Sequence, residues 1–144
     1  ERQHPEKFIP LVIRKILARE DVLVHASPQG ESGSRFYIHA RNVAAAVLFL
    51  LKKGVILREK YNIKGEEEVA NDALVYRIGN IIGRHPVVRF VDFHSSRPGH
   101  DLRYALSGDK LARMGWAPPL EFDLSLQKTV NWYLANQSWL NETK

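Results

Sequence analysis

"SSRPGHDLRY", residues 95–104, sets Arg97, His100 and Arg103 around a Pro98-Gly99 turn. A Pro-Gly pair bends the chain sharply, and this bend gathers two guanidinium forks, an imidazole and the Tyr104 phenol. Arginine presents planar donors that suit phosphate bidentately, and a nearby imidazole adds another donor. Two or three charge-assisted hydrogen bonds, each worth roughly 1.5–3 kcal/mol net, would hold a diphosphate at micromolar affinity or better. Alone, the segment fits an exposed turn with scattered charge equally well, so the surrounding chain has to decide.

Just before the turn, "VVRFVDF" (87–93) reads as a strand with apolar residues on both faces. After it, Ser107 can cap a short helix ending at Gly115, and Asp123 a final helix carrying Leu126, Val130, Tyr133 and Leu134. Upstream, Phe8, Leu11, Val12 and Ile16 mark one face of an amphipathic helix, with Pro10 early enough for its missing N–H to matter little. "VLVH" (22–25) reads as a strand, and the flexible "SPQGESGS" (27–34) follows it. "SRFYI" (34–38) looks like a second strand, leading into a helix through Val43, Val47, Leu50 and Leu51 that Gly54 closes. "KYNI" (60–63) reads as another strand. Asn71 or Asp72 can N-cap a helix that carries Leu74, Ile78, Ile81 and Ile82 and ends at Gly83. Helices mixed with short strands make an α/β chain.

The 144 residues are 44% hydrophobic and 26% charged, enough for one core and too few for two ordinary domains. No run approaches the roughly 18 apolar residues of a membrane helix, so no membrane partner is expected. The polar opening "ERQHPEKFIP" has no apolar h-region, so no signal peptide is expected. The absence of cysteine excludes disulfides, thiolate metal sites and a cysteine nucleophile, and fits a cytoplasmic location. A net charge of +5 favours anionic partners. The basic residues are scattered, however, without a basic run or a glycine-aromatic RNA motif, which argues against nucleic acid.

No catalytic constellation stands out. "GEEE" (65–68) reads as solvated loop charge before a helix N-terminus. The six histidines show no metal-ligand spacing, and His39, His85 and His94 read as structural or surface histidines in or beside strands. Ser95 and Ser96 lack a nucleophile elbow. There is no G-x-G-x-x-G, and no tyrosine has a lysine four residues later. A nucleotide-binding α/β enzyme normally opens with a strand, a glycine-rich turn and a helix. This chain opens with a helix, like the second half of something.

"HPEKFIPLVI" (4–13), "EKYNIKGEEEVAN" (59–71), "RPGHDLRYAL" (97–106), "DKLARMGWAPP" (109–119) and "TVNWYLANQSWL" (129–140) occur in one order and spacing. Together they resemble the C-terminal half of the dTDP-glucose 4,6-dehydratase family of extended short-chain dehydrogenase/reductases, over essentially the whole chain. The resemblance implies the substrate-binding portion of such an enzyme as a single unit, residues 1–144, with the N-terminal Rossmann half absent. It implies that Lys7 and Phe8 line the substrate site, that Asn71 contacts the diphosphate region, and that Arg97 and His100 hold the nucleotide and its phosphates. His25 stands where the family usually has a tyrosine that helps seat the base. Arg35 lies two residues before Tyr37, where the family has an arginine four residues before a tyrosine. Both departures leave the base open.

For the full-length enzyme the resemblance implies a lyase with NAD as cofactor, a sugar nucleotide (dTDP-glucose or a relative) as substrate, and a homodimer. That enzyme would oxidise C4 of the hexose, eliminate water across C5–C6 and return the hydride to C6. The glycine-rich turn, the Tyr-x-x-x-Lys pair and the Asp-Glu acid/base pair all lie upstream of "PEK" in the family. This chain would therefore grip the nucleotide, with no catalytic, cofactor or metal residues of its own, and is expected to be inactive alone. The alternatives are a sugar-nucleotide epimerase or decarboxylase of the same fold, or a non-catalytic anion- or nucleic-acid-binding module.

Overall fold

A computed structural model describes residues 1–54, 58–93 and 101–141. In chain order the elements are α1 (Phe8–Ala18), β1 (Val22–Ala26), β2 (Ser34–Arg35), α2 (Ala40–Lys53), β3 (Val69–Ala70), α3 (Asn71–Ile82), β4 (Val88–Asp92), β5 (Arg103–Tyr104), α4 (Asp109–Arg113), α5 (Phe122–Ala135) and α6 (Ser138–Asn141). No helix among the described residues is long and apolar enough to cross a membrane.

The apolar spacing in α1 turns Val12, Ile13 and Ile16 inward, and Pro10 lies in the first turn, where backbone N–H groups have no helical partner. These side chains meet Leu74, Val75 and Ile78 of α3 and Leu126, Val130 and Tyr133 of α5. Burying each such aliphatic side chain contributes roughly 1.5–3 kcal/mol. The Tyr133 hydroxyl donates to Gln3 O (3.1 Å) and accepts from Gln3 N–H (2.8 Å), which holds the N-terminal segment against α5. Gly83 ends α3 in the left-handed conformation that its missing Cβ allows.

β1 pairs in parallel with β4, Val24 opposite Phe90 and His25 opposite Val91. Paired residues share a face of the sheet. On the core face Val24 is 1% exposed under the helices, yet Phe90 beside it is 53% exposed. The helical layer thus covers β1, and on β4 it reaches Val88 but not Phe90. A second small sheet has the order β3-β2-β5, with β2 antiparallel to β3 and parallel to β5.

Five sequence expectations need correction. The "SRFYI" strand ends at Arg35, because beyond it Phe36 and Tyr37 run against Gly65, where even a Cβ would lie 2.0 Å from Tyr37 O. "KYNI" is not a strand. Side chains fix it instead, with Asn62 Nδ2 donating to Ser107 O (3.1 Å) and Lys110 Nζ donating to Lys60 O (3.0 Å). Neither Asn71 nor Asp72 caps α3: Ala70 holds the N-cap position, while Asn71 pairs with Tyr37 and Asp72 with Ser32. Asp123 lies inside the first turn of α5, where it takes a 3.0 Å hydrogen bond from Arg77, and Glu121 holds the N-cap position. Ser107 is not the cap of α4 either: Gly108 holds the N-cap position, and Ser107, one residue earlier, accepts from Asp109 N–H at 3.3 Å.

Candidate functional site

A cleft of about 680 Å³ opens at the N-terminal ends of four helices. Lys7 and Phe8 bring the start of α1 to it, His39 and Ala40 the start of α2, Asn71 the start of α3, and Phe122 and Ser125 the start of α5. A helix N-terminus carries a partial positive charge near +0.5, although at three of these ends an N–H is already engaged, Arg41 N–H by His39 Nδ1, Asn71 N–H by Gly33 O and Phe122 N–H by Glu66. Their shared opening favours a negatively charged ligand. The carboxylates of Glu1 and Glu6 also line the cleft, beside the cations of Lys7 and Arg35.

Lys7, Phe8, His25, Arg35 and Asn71, each singled out in the sequence, line this cleft together. Lys7 is the N-cap of α1, in extended conformation, and its carbonyl accepts Leu11 N–H at 2.9 Å. His25 follows from strand alternation. Val24 and Ala26 point into the core, which puts Leu23 and His25 on the cleft face. The His25 ring meets Phe93 edge-on at 6.4 Å. Arg35 pairs with Tyr104 across the parallel strands, and its guanidinium lies 5.6 Å from the phenol ring centre. Its Nη1 also donates to Ser34 O at 3.4 Å.

Asn71 is the most firmly held of these groups. Its backbone N–H donates to Gly33 O (2.7 Å), and its Oδ1 accepts from the Tyr37 hydroxyl (2.6 Å). Burial pushes the Tyr37 phenol well above its ordinary value, against a smaller opposing pull from Arg35, so the hydroxyl keeps its proton and donates. With Oδ1 engaged, the amide NH2 is the part of Asn71 left to offer a ligand. A Cβ on Gly33 would lie 3.1 Å from Asn71 Nδ2 and 2.7 Å from Leu102 O, so this residue's lack of a side chain keeps the wall in place.

Arg97 and His100 fall outside the described residues; Leu102, two positions after His100, lines the cleft. Arg103, grouped with them in the sequence as a phosphate donor, does something else. Its Nε and Nη2 donate to the two carboxylate oxygens of Glu68, both at 2.7 Å, and Ser34 Oγ donates to the same carboxylate at 2.5 Å. Those hydrogen bonds, with Arg103 first, hold the Glu68 carboxyl at about 2, well below 4.5. The residue just before β3 is thereby tied to Ser34 of β2 and Arg103 of β5. "GEEE" is accordingly not free loop charge. Glu67 pairs with Arg77 (2.6 Å), and Glu66 accepts Phe122 N–H (3.2 Å) at the start of α5.

Tyr37, His39 and Ser125 also line the cleft, and the sequence does not single them out as candidate site residues. For Tyr37 the available signal is its proximity to Arg35. His39 fits the expectation of a structural histidine: its Nδ1 accepts Arg41 N–H at 3.1 Å and caps α2.

No protein-family model matches the chain. A dTDP-glucose 4,6-dehydratase of Xanthomonas campestris is 35% identical over an alignment of 144 positions, which covers 94% of this chain and 40% of that protein. An Escherichia coli dTDP-glucose 4,6-dehydratase is 34% identical over an alignment of 146 positions, which covers 97% of this chain and 39% of that protein. The fold agrees. The Bacillus anthracis dTDP-glucose 4,6-dehydratase solved in complex with NAD superposes with a TM-score of 0.80 at 31% identity, covering 96% of this chain and 42% of that one. The chain is a homologue of the C-terminal part of the dTDP-glucose 4,6-dehydratases. It spans about 40% of the length of these dehydratase relatives. A Streptomyces venezuelae dTDP-glucose 4,6-dehydratase with NAD and TYD bound matches at 32% identity and a TM-score of 0.80, over 95% of this chain and 41% of that one. Outside the dehydratases, a Thermus thermophilus UDP-glucose 4-epimerase complexed with NAD matches at 25% identity and a TM-score of 0.76, over 92% of this chain and 42% of that one.

Proposed function

We propose that this chain is the nucleotide-sugar-binding portion of an NAD-dependent dTDP-glucose 4,6-dehydratase-like enzyme. The observation that carries this reading is the cleft, where four helix N-termini, Lys7, Arg35 and the oriented amide of Asn71 face one space. A nucleoside diphosphate fits that chemistry: helix ends and a guanidinium for the phosphates, the His25–Phe93 pair for the base. Arg97 and His100, from the "RPGH" turn, would complete the grip. The residues present do not fit NAD. β1 runs into the loop before β2 rather than through a glycine-rich turn into a helix, so the dinucleotide site belongs to a part of the enzyme beyond these residues. C4 oxidation, water elimination and hydride return belong there too. This portion contributes binding energy and orientation, which place the hexose for reaction. We take residues 1–144 as one binding unit, and the full-length enzyme as a cytoplasmic homodimer.

The full-length protein that carries this chain should convert dTDP-glucose to a 4-keto-6-deoxy product when NAD is supplied. The isolated chain should not. Full-length protein that binds dTDP-glucose without dehydrating it would overturn the dehydratase assignment. Interconversion of UDP-hexoses in the same assay would favour the epimerase reading, which the Thermus structural match supports.

A further inference from the structure

Two buried polar atoms in the cleft wall have no partner: His39 Nε2 and Ser125 Oγ. The His39 side chain is 7% exposed, and Ser125 is 7% exposed. Both residues line the cleft. Buried polar groups in folded proteins are nearly always satisfied, by protein, water or ligand. An orphaned one carries a desolvation penalty of roughly 1–3 kcal/mol.

The imidazole's state follows from its other nitrogen. Nδ1 accepts Arg41 N–H at 3.1 Å, so the neutral ring carries its proton on Nε2. Burial holds the ring below its ordinary value, with Arg41 and Lys128 acting in the same direction and Glu1 against. The Glu1 carboxylate is 4.0 Å from Nε2, too far for a hydrogen bond. His39 therefore presents one uncharged N–H donor at the N-terminus of α2. Ser125, in the first turn of α5, presents a hydroxyl that donates or accepts.

We infer that His39 and Ser125 form a second, uncharged subsite of the cleft, which takes a hydroxyl or carbonyl oxygen of the bound nucleotide sugar. The diphosphate belongs with the cations and the amide of Lys7, Arg35 and Asn71, whereas two neutral partners match a neutral oxygen. The inference rests on the reading of the cleft as a sugar-nucleotide site. The oxygen comes from either the hexose or the nucleoside, and the two sources separate by experiment.

The test measures binding of dTDP and of dTDP-glucose to the full-length protein as wild type, Ser125→Ala and His39→Asn. Ser125→Ala removes only the hydroxyl. In His39→Asn the amide Oδ1 keeps the cap on α2, while the donor at the Nε2 position is lost. Thermal melts accompany each variant. Each is expected to weaken dTDP-glucose roughly 2- to 12-fold, the range for one neutral hydrogen bond. A loss confined to dTDP-glucose assigns the oxygen to the hexose, and an equal loss for dTDP assigns it to the nucleoside. Both outcomes support the subsite. Normal wild-type binding with both variants unchanged overturns the subsite alone, whereas failure of the wild type to bind either ligand overturns the functional reading and the subsite with it.

Discussion

The Tyr37 hydroxyl donates a 2.6 Å hydrogen bond to Asn71 Oδ1, and thereby sets which end of the Asn71 amide the cleft receives. The pair joins the segment after β2 to the first residue of α3. It also leaves the amide NH2 as the donor available to a ligand in the cleft.

Replacing Tyr37 with Phe keeps the ring and removes the donor. The expected stability loss is roughly 1–3 kcal/mol, because an acceptor is left without its partner, with a several-fold weaker affinity for nucleoside diphosphate. Chemical denaturation and titration with dTDP check the two effects. In an Asn71→Ala background, Tyr37→Phe should cost no further affinity, since coupled residues are not additive. Additive losses would show that Tyr37 does not act through Asn71.

Gly65→Ala should damage fold and site together. The new methyl would lie 2.0 Å from Tyr37 O and 2.8 Å from Tyr37 C, a collision with backbone that no rotamer relieves. Overpacking of this kind costs about 1–3 kcal/mol or more. A denaturation midpoint equal to that of the wild type would contradict this packing.

Acid should loosen the small sheet through Glu68. Its carboxyl sits at about 2 in the folded chain against an ordinary 4.5. A depressed carboxyl contributes stability above its unfolded value, and that stability is lost as pH falls toward the folded one. Stability should therefore fall between about pH 4.5 and pH 2. Glu68→Gln should be less stable at neutral pH and show a shallower loss over that window. Parallel acid-unfolding curves for the two proteins would rule out this role.

Arg97→Ala, in the full-length protein, is expected to weaken dTDP roughly 10- to 150-fold, as for loss of one charge-assisted contact. His100→Ala should lose less, since a neutral imidazole makes an ordinary hydrogen bond. An unchanged inhibition constant for folded Arg97→Ala would leave "RPGH" as a turn alone.

The isolated chain should self-associate. Leu23, Val87 and Phe90 are each more than half exposed around the parallel strand pair, and among the described residues β4 pairs with β1 alone. Sedimentation should show a mass that rises with concentration, and Phe90→Lys should reduce the rise. A strict monomer with a sharp, high-temperature melt would contradict it.

Local spacing is enough to place the longer regular elements of this chain. The apolar periods of α1, α3 and α5 and the β-branched run of β1 each follow from one face being buried. The ordered motifs were enough to identify the relatives and to name five residues that share the cleft. Long-range packing instead settles how far "SRFYI" remains a strand, that "KYNI" is none, and that Arg103 pairs with Glu68. Tyr37 meets Asn71 and Arg103 meets Glu68 across 34 and 35 positions of chain. The physical reason is that a periodicity shows which side of an element seeks the core. A polar side chain takes its partner from whatever the packed core brings within hydrogen-bonding distance, and no local pattern encodes that.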